Sequence, residues 1–555
     1  MNRPEPTAAG PSPAFAGLIA DVHRGIFFPG RFRVEAGRIR DLREDPGAPS
    51  GPLFAPGLVD AHLHIESTLL SPAEFGRFAP VHGTVATVSD PHEIGNVAGM
   101  AGVDWMIAAG RDSPVKIAWG APSCVPATPL DPSGASFGPE EIARLLDRPE
   151  VLYLAEVMNF PAVIGRDPAM EAILAVARQR GVPLDGHAPG VRGEDLRRYA
   201  AAGISTDHES TTLEEGREKI AAGLFVAIRE GSAARNFEAL WPLLQEAPDR
   251  CFFCSDDRHP DDLVESHVDG MVRRAIALGV DPMVALRTAT LHPVRHYGLP
   301  VGLLREGDPA DFVVVPGPED FHVEQTWIDG RLVAEGGLPR TEARPVPPLN
   351  VFRARPVATE DLYPRGHADR PMLAIQARDG EIVTDRASVR PSLDSAGRLR
   401  ADPGRDQLKI AVVDRYRPSP PAVGLVLGFG LQSGAIAGSV AHDCHHVIGV
   451  GADEPSLERA LNAVIRAQGG LALASPEEQL TYPLPLAGLM GEGPTEEAAR
   501  RFLALTARAH GLGCTLRSPF MTLSFLALVV IPSLKISAGG LFDVDRFAFI
   551  DPWEG

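Results

Sequence analysis

Between about residues 56 and 299, short runs of apolar and β-branched residues alternate with longer stretches whose apolar positions recur at helical spacing. Eight such runs stand out, at 58–65, 84–89, 115–119, 151–157, 183–187, 204–208, 224–229 and 251–255. Helix-capable segments at 139–146, 170–180 and 193–202 lie between them. Strands that alternate with helices predict a parallel sheet with crossover connections, and eight of them in 56–299 predict an α/β fold, a closed (β/α)8 TIM-like barrel. On both flanks the pattern changes. Short strands and turns at 18–41, 307–315 and 325–333 predict a small composite β-sandwich domain built from 16–55 plus 300–345. A Pro-rich stretch at 339–348 reads as a linker, and residues 350–555 have apolar patterning of their own, which predicts a C-terminal α+β domain. Residues 1–15 carry Pro4, Pro6, Pro11 and Pro13 and no continuous apolar core, so they predict a disordered leader rather than a secretory signal.

Composition narrows the class. A chain of 555 residues, 44% hydrophobic and 23% charged, is that of a soluble globular protein of roughly two to four domains. A net charge of −19 argues against nucleic acid as a partner, because phosphate binding needs concentrated positive charge. The longest purely apolar stretch, 525–531, is far short of the ~20 residues that span a bilayer, so no membrane partner is expected. Five cysteines are too few for a disulfide framework and fit a reducing cytoplasm.

In a barrel of this kind the reactive groups sit where the strands end at the C-terminal face. The first predicted strand ends in His62 and His64, two residues apart and therefore on one face, which is what a metal needs from a strand. Glu156 ends the fourth, His187 the fifth, His208 and Glu209 the sixth, and Asp256 the eighth. The four imidazoles together with two of the carboxylates, Glu156 and Asp256, suit a pair of divalent first-row metals, with Glu156 able to bridge through its two oxygens.

The order His-x-His, Glu, His, His, Asp on eight strands resembles the amidohydrolase superfamily, a metal-dependent hydrolase barrel, and longer words narrow the likeness to the bacterial adenine deaminases. Those words are Gly-Leu-Val-Asp-Ala-His-Leu-His-Ile-Glu-Ser at 57–67, Ser-Asp-Pro-His-Glu-Ile-Gly-Asn-Val at 89–97, Ala-Glu-Val-Met-Asn-Phe-Pro at 155–161, Asp-Gly-His-Ala-Pro-Gly at 185–190 and Ser-Asp-Asp-Arg-His-Pro-Asp-Asp-Leu at 255–263. In the third domain, Phe-Met-Thr-Leu-Ser-Phe-Leu-Ala-Leu at 520–528 and Gly-Gly-Leu-Phe-Asp-Val at 539–544 extend the likeness over roughly 16–555. The resemblance implies hydrolytic deamination of adenine to hypoxanthine and ammonia, in purine salvage, by a metal-activated hydroxide. It implies His62, His64, Glu156 and Asp256 on one ion and Glu156, His187 and His208 on the second. A glutamate stands where many relatives have a carbamylated lysine. Two divalent ions are expected, Mn2+ first and Fe2+ or Zn2+ as alternatives, with a purine substrate and a homo-oligomer, a dimer, as the assembly. Asp256 is the candidate general base, and Glu209 either protonates a ring nitrogen or points outward. Asp90, His92 and Glu93 are candidates for substrate contact, for support of the ligands or for an auxiliary metal. Arg229 meets substrate or balances Glu156 and Asp256. Asp257, next to Asp256 on an extended strand, is expected to face the other way, orienting Arg258 or a loop.

Two other motifs carry less. Cys251 and Cys254 have the spacing of a redox pair, but on a strand they face opposite sides and read as barrel core. The cluster His442-Asp443-Cys444-His445-His446 either binds a further ion or closes over the active site; Cys444 and His446 depart from the Ser and Asn usual in the family. Competing activities are an amidohydrolase acting on another aminopurine, an N6-substituted adenine or a cyclic amide, and, from another class, a non-catalytic metal-binding protein.

Overall fold

A computed structural model describes residues 13–553. Residues 1–12 of the expected leader lie outside that range, and its last two residues, Ala14 and Phe15, already belong to the strand Ala14–Asp21.

The eight barrel strands run Leu58–Leu63, Thr84–Ser89, Lys116–Ala121, Val151–Val157, Leu184–Gly186, Thr206–Asp207, Phe225–Arg229 and Cys251–Cys254. The first five pair in parallel in chain order, as do the last three. Ser205 N donates to Leu184 O at 2.9 Å across one seam, and at the other Asp256 N donates to His62 O at 2.9 Å beside the parallel bridge Leu63–Asp256. The strands are buried on both faces, so they read as continuous apolar runs instead of alternating ones. Gly186 is where the fifth strand meets the sixth: a Cβ there would lie 2.3 Å from Thr206 O.

The outer helices are set by local chemistry. Asp167 caps the helix Pro168–Arg180 by accepting from Ala169 N and Met170 N, Pro168 fits its first turn, and left-handed Gly181 ends it. Met170, Ile173, Leu174 and Ala177, at helical spacing, form its buried stripe.

The flanking strands from both ends of the barrel join in one eight-stranded sheet. Leu53–Pro56 lies between Ala14–Asp21 and Phe312–Val315 in that sheet and leads through Gly57 into the first barrel strand. The C-terminal part holds a second eight-stranded sheet, whose strand Leu408–Val413 alternates strictly. Ala411 and Val413 pack with Leu457, Leu461 and Val464 of the helix Glu454–Ala467, whereas Ile410 and Val412 belong to the same apolar core as the barrel. That shared core places the C-terminal part over the barrel mouth.

Candidate metal centre and active site

Each of the six expected metal ligands projects into one buried space at the C-terminal ends of the strands. Asp60, His62 and His64 share the inner face of the first strand. Asp60 accepts from Ser255 N at 3.1 Å and lies 2.8 Å from His267 Nε2, which anchors the strand below the two imidazoles. The Nδ1 of His64 lies 3.1 Å from the carbonyl oxygen of Asp90, a contact that leaves Nε2 directed at the centre. There it lies 3.1 Å from Glu156 Oε1 and 3.1 Å from Asp256 Oδ1. His62 Nε2 is 3.5 Å from the same Asp256 oxygen. The other oxygen of Glu156, Oε2, is 2.7 Å from His187 Nδ1 and 3.3 Å from His208 Nε2. Glu156 thus divides its two oxygens between two pairs of imidazoles.

This donor set fits divalent ions. Three-residue groups that include His62, His64 and Asp256, or His62, Glu156 and His208, have donor atoms within 4.8 Å of one another. Both nitrogens of His62 and Nε2 of His187 are buried without a hydrogen-bond partner. Buried imidazole nitrogens ordinarily find partners, so the orphaned His62 Nε2, 3.5 Å from Asp256 Oδ1, marks a position that a cation would complete.

Burial disfavours charge at Glu156, yet hydrogen bonds from His187, His208 and His64 outweigh it and hold the carboxyl well below its usual range. Burial likewise opposes charge on Asp256, but the Arg229 guanidinium and the neighbouring imidazoles of His62 and His64 hold its carboxyl well below the usual range. Arg229 donates to both Glu209 and Asp256. The expectation that it balances Glu156 is therefore corrected: its partners are Glu209 and Asp256. Glu209 points inward, 3.5 Å from His208 Nε2, and Arg229 and the two histidines hold its carboxyl low against burial.

Asp90 turns the chain as well as supporting the site: its Oδ1 accepts from His92 N at 3.0 Å and its Oδ2 lies 3.1 Å from His92 Nδ1. Glu93 lines the same cavity and reaches the C-terminal part, where it meets His442 Nδ1 and His445 Nε2. His442 and Asp443 consequently line the cavity, and the His442 ring stacks on Phe525 at 4.6 Å. Cys251 and Cys254 are buried free thiols in the last strand.

Asp257 is a second correction. The last strand stops at Cys254, and Asp256 adopts a left-handed φ of 54°, which breaks the alternation and turns both carboxylates into the cavity. The apolar roof of Ile382, Phe525, Leu528 and Ile531 also escaped the sequence reading. Its signal was present in the apolar stretch 525–531, but nothing in periodicity says what that stretch covers. Phe525 also lines a second, outward cavity of ≈ 380 Å³, so it stands between the site and a route to the surface.

The amidohydrolase family pattern matches residues 53–333, and the pattern of the adenine deaminase C-terminal domain matches residues 381–548. An adenine deaminase of Salinibacter ruber is 51% identical over 97% of this chain and 98% of its own length. Those of Sulfurovum sp., 48% identical over 96% and 98%, and Methanosarcina mazei, 45% identical over 97% and 99%, are similar along nearly their whole lengths as well.

Proposed function

The chain belongs to the amidohydrolase family and, within it, to the adenine deaminases, and on that premise we propose that it hydrolyses adenine to hypoxanthine and ammonia, a reaction of purine salvage. The observation that carries the reading is the placement of Glu156, one oxygen toward His64 and the other toward His187 and His208, with Asp256 opposite. His62, His64, Glu156 and Asp256 would hold one divalent ion, and Glu156, His187 and His208 the other. Mn2+ is the resident metal we propose, with Fe2+ or Zn2+ as alternatives, mixed imidazole and carboxylate donors accommodating all three. Bound there, the ions would lower the pKa of a water to about 7 and so supply a nucleophile at neutral pH.

The residues then handle protons. In the balanced reaction a C–O bond forms at C6, the C6–N bond breaks, one water proton leaves on ammonia and the other stays on the ring. Asp256, ionised and facing His62 and His64 through Oδ1, takes the water proton and returns it to the leaving amine. Glu209 enters as a carboxylate because Arg229 grips it, so at a ring nitrogen it relays a proton rather than bringing one. Asp90 and His92 hold the His64 side of the centre in place.

Asp256→Asn tests the assignment. It should reduce ammonia release by about 10²-fold or more; near wild-type turnover with the metal complement intact would remove Asp256 as the base. Five buried free thiols support a reducing compartment, for which we propose the cytoplasm, and no helix among the described residues is long and apolar enough to cross a membrane. A homodimer is the assembly we propose.

A further inference from the structure

We propose that Asp257 is the residue that selects the free base, by accepting the N–H of the purine's imidazole ring. The assignment rests on the deamination reading. Six carboxylates line the cavity, and five of them are closed in: Glu93, Glu156, Glu209, Asp256 and Asp443 have side-chain exposures of 1–6%. Asp257 stands apart at 15%. Its Oδ1 accepts from Ser67 Oγ at 2.5 Å and lies 4.0 Å from His442 Nε2, so the carboxylate is held by neighbours on two sides. Its Oδ2 accepts no hydrogen bond from the described residues. The cavity's single arginine, Arg229, is committed to Glu209 and Asp256, and no lysine lines the cavity among the described residues.

An open carboxylate can only accept, so it selects ligands that donate. A free purine base carries one N–H on its five-membered ring, at N9 or N7. A 9-substituted purine, such as adenosine or its phosphates, has no N–H on either of those atoms and turns either the N7 lone pair or the N9 substituent toward the same carboxylate. The wall that welcomes the free base is therefore repulsive to the substituted one, and the lack of an uncommitted cation denies a phosphate any compensation. In the same cavity Phe525, Leu528 and Ile531 give the flat ring an apolar face.

The test compares adenine with 9-methyladenine, which keeps the reacting amine and loses the N–H. Wild-type holoenzyme should prefer adenine by more than 10³-fold in kcat/KM. Asp257→Ala and Asp257→Asn should each lose about 10²-fold on adenine, mostly in KM, with metals per chain unchanged, and Asp257→Ala should prefer adenine over the methylated base by less than about tenfold. Asp257→Glu should recover part of the loss. Three results would overturn the proposal: Asp257→Asn within twofold of wild type on adenine, equal losses on both bases, or loss of metal in both variants, which would make Asp257 part of the centre. Wild-type protein that releases no ammonia from adenine would instead remove the deamination reading itself.

Discussion

Two side chains hold the centre together, and each makes a distinct prediction. Among the described residues Glu156 alone reaches both pairs of imidazoles, so Glu156→Gln, which keeps the shape and removes the charge, should lower bound metal and cut ammonia release by more than about 100-fold. Metal analysis beside an ammonia assay reads both. Arg229 balances two buried carboxylates at once. Arg229→Met strands both, and breaking a buried pair costs about 3–5 kcal/mol, so the melting temperature and turnover should fall together, whereas Arg229→Lys should keep part of each. That His62, His64, Glu156, His187, His208 and Asp256 converge was legible in the sequence, because each stands where a predicted strand ends. Asp257 was not, because the alternation rule that put it on the far side fails at the left-handed Asp256.

At the scale of elements, the eight strands emerge from apolar runs to within a residue or two at each end. The differences have a common cause: His64, His187 and His208 leave the ladder to serve the site, so the fifth and sixth strands are only Leu184–Gly186 and Thr206–Asp207. What periodicity could not show is how the roof is fixed. Lys535, in the strand Leu534–Ser537, is fully buried and donates to Ile382 O at 2.7 Å and Phe525 O at 3.0 Å, tying together two segments that line the cavity. Burial brings its pKa from 10.5 to about 7. Between those values the unfolded chain binds the proton and the folded chain does not, so this residue makes stability rise with pH across that window and fall as pH drops toward 7. Lys535→Met should flatten the rise of the denaturant midpoint between pH 7 and 10. An unchanged slope would show that the ammonium is not charged at a cost in the fold.

Over the whole molecule, the C-terminal part completes the site. Glu93, at the start of the helix His92–Gly110 in the barrel, meets His442 at a separation of 349 residues, and a core continuous from barrel to C-terminal sheet keeps that contact in place. Contacts at such range leave no periodic trace, which is why the His442–His446 cluster read equally as an ion site or a cover. Its His442 and Asp443 now stand in the wall of the cavity. Glu93→Gln should loosen this closure, raising KM for adenine about tenfold or more and speeding proteolysis of the segment 440–447, while an unaltered KM would mean that the closure does not bear on substrate.

The most direct measurement is made on protein produced with manganese supplied and iron restricted: metals per chain, together with ammonia released from adenine. About two ions per chain and fast release are the predicted result. Protein that carries no divalent ion, or that carries two and leaves adenine intact, would contradict the account, the first at its ligands and the second at its substrate.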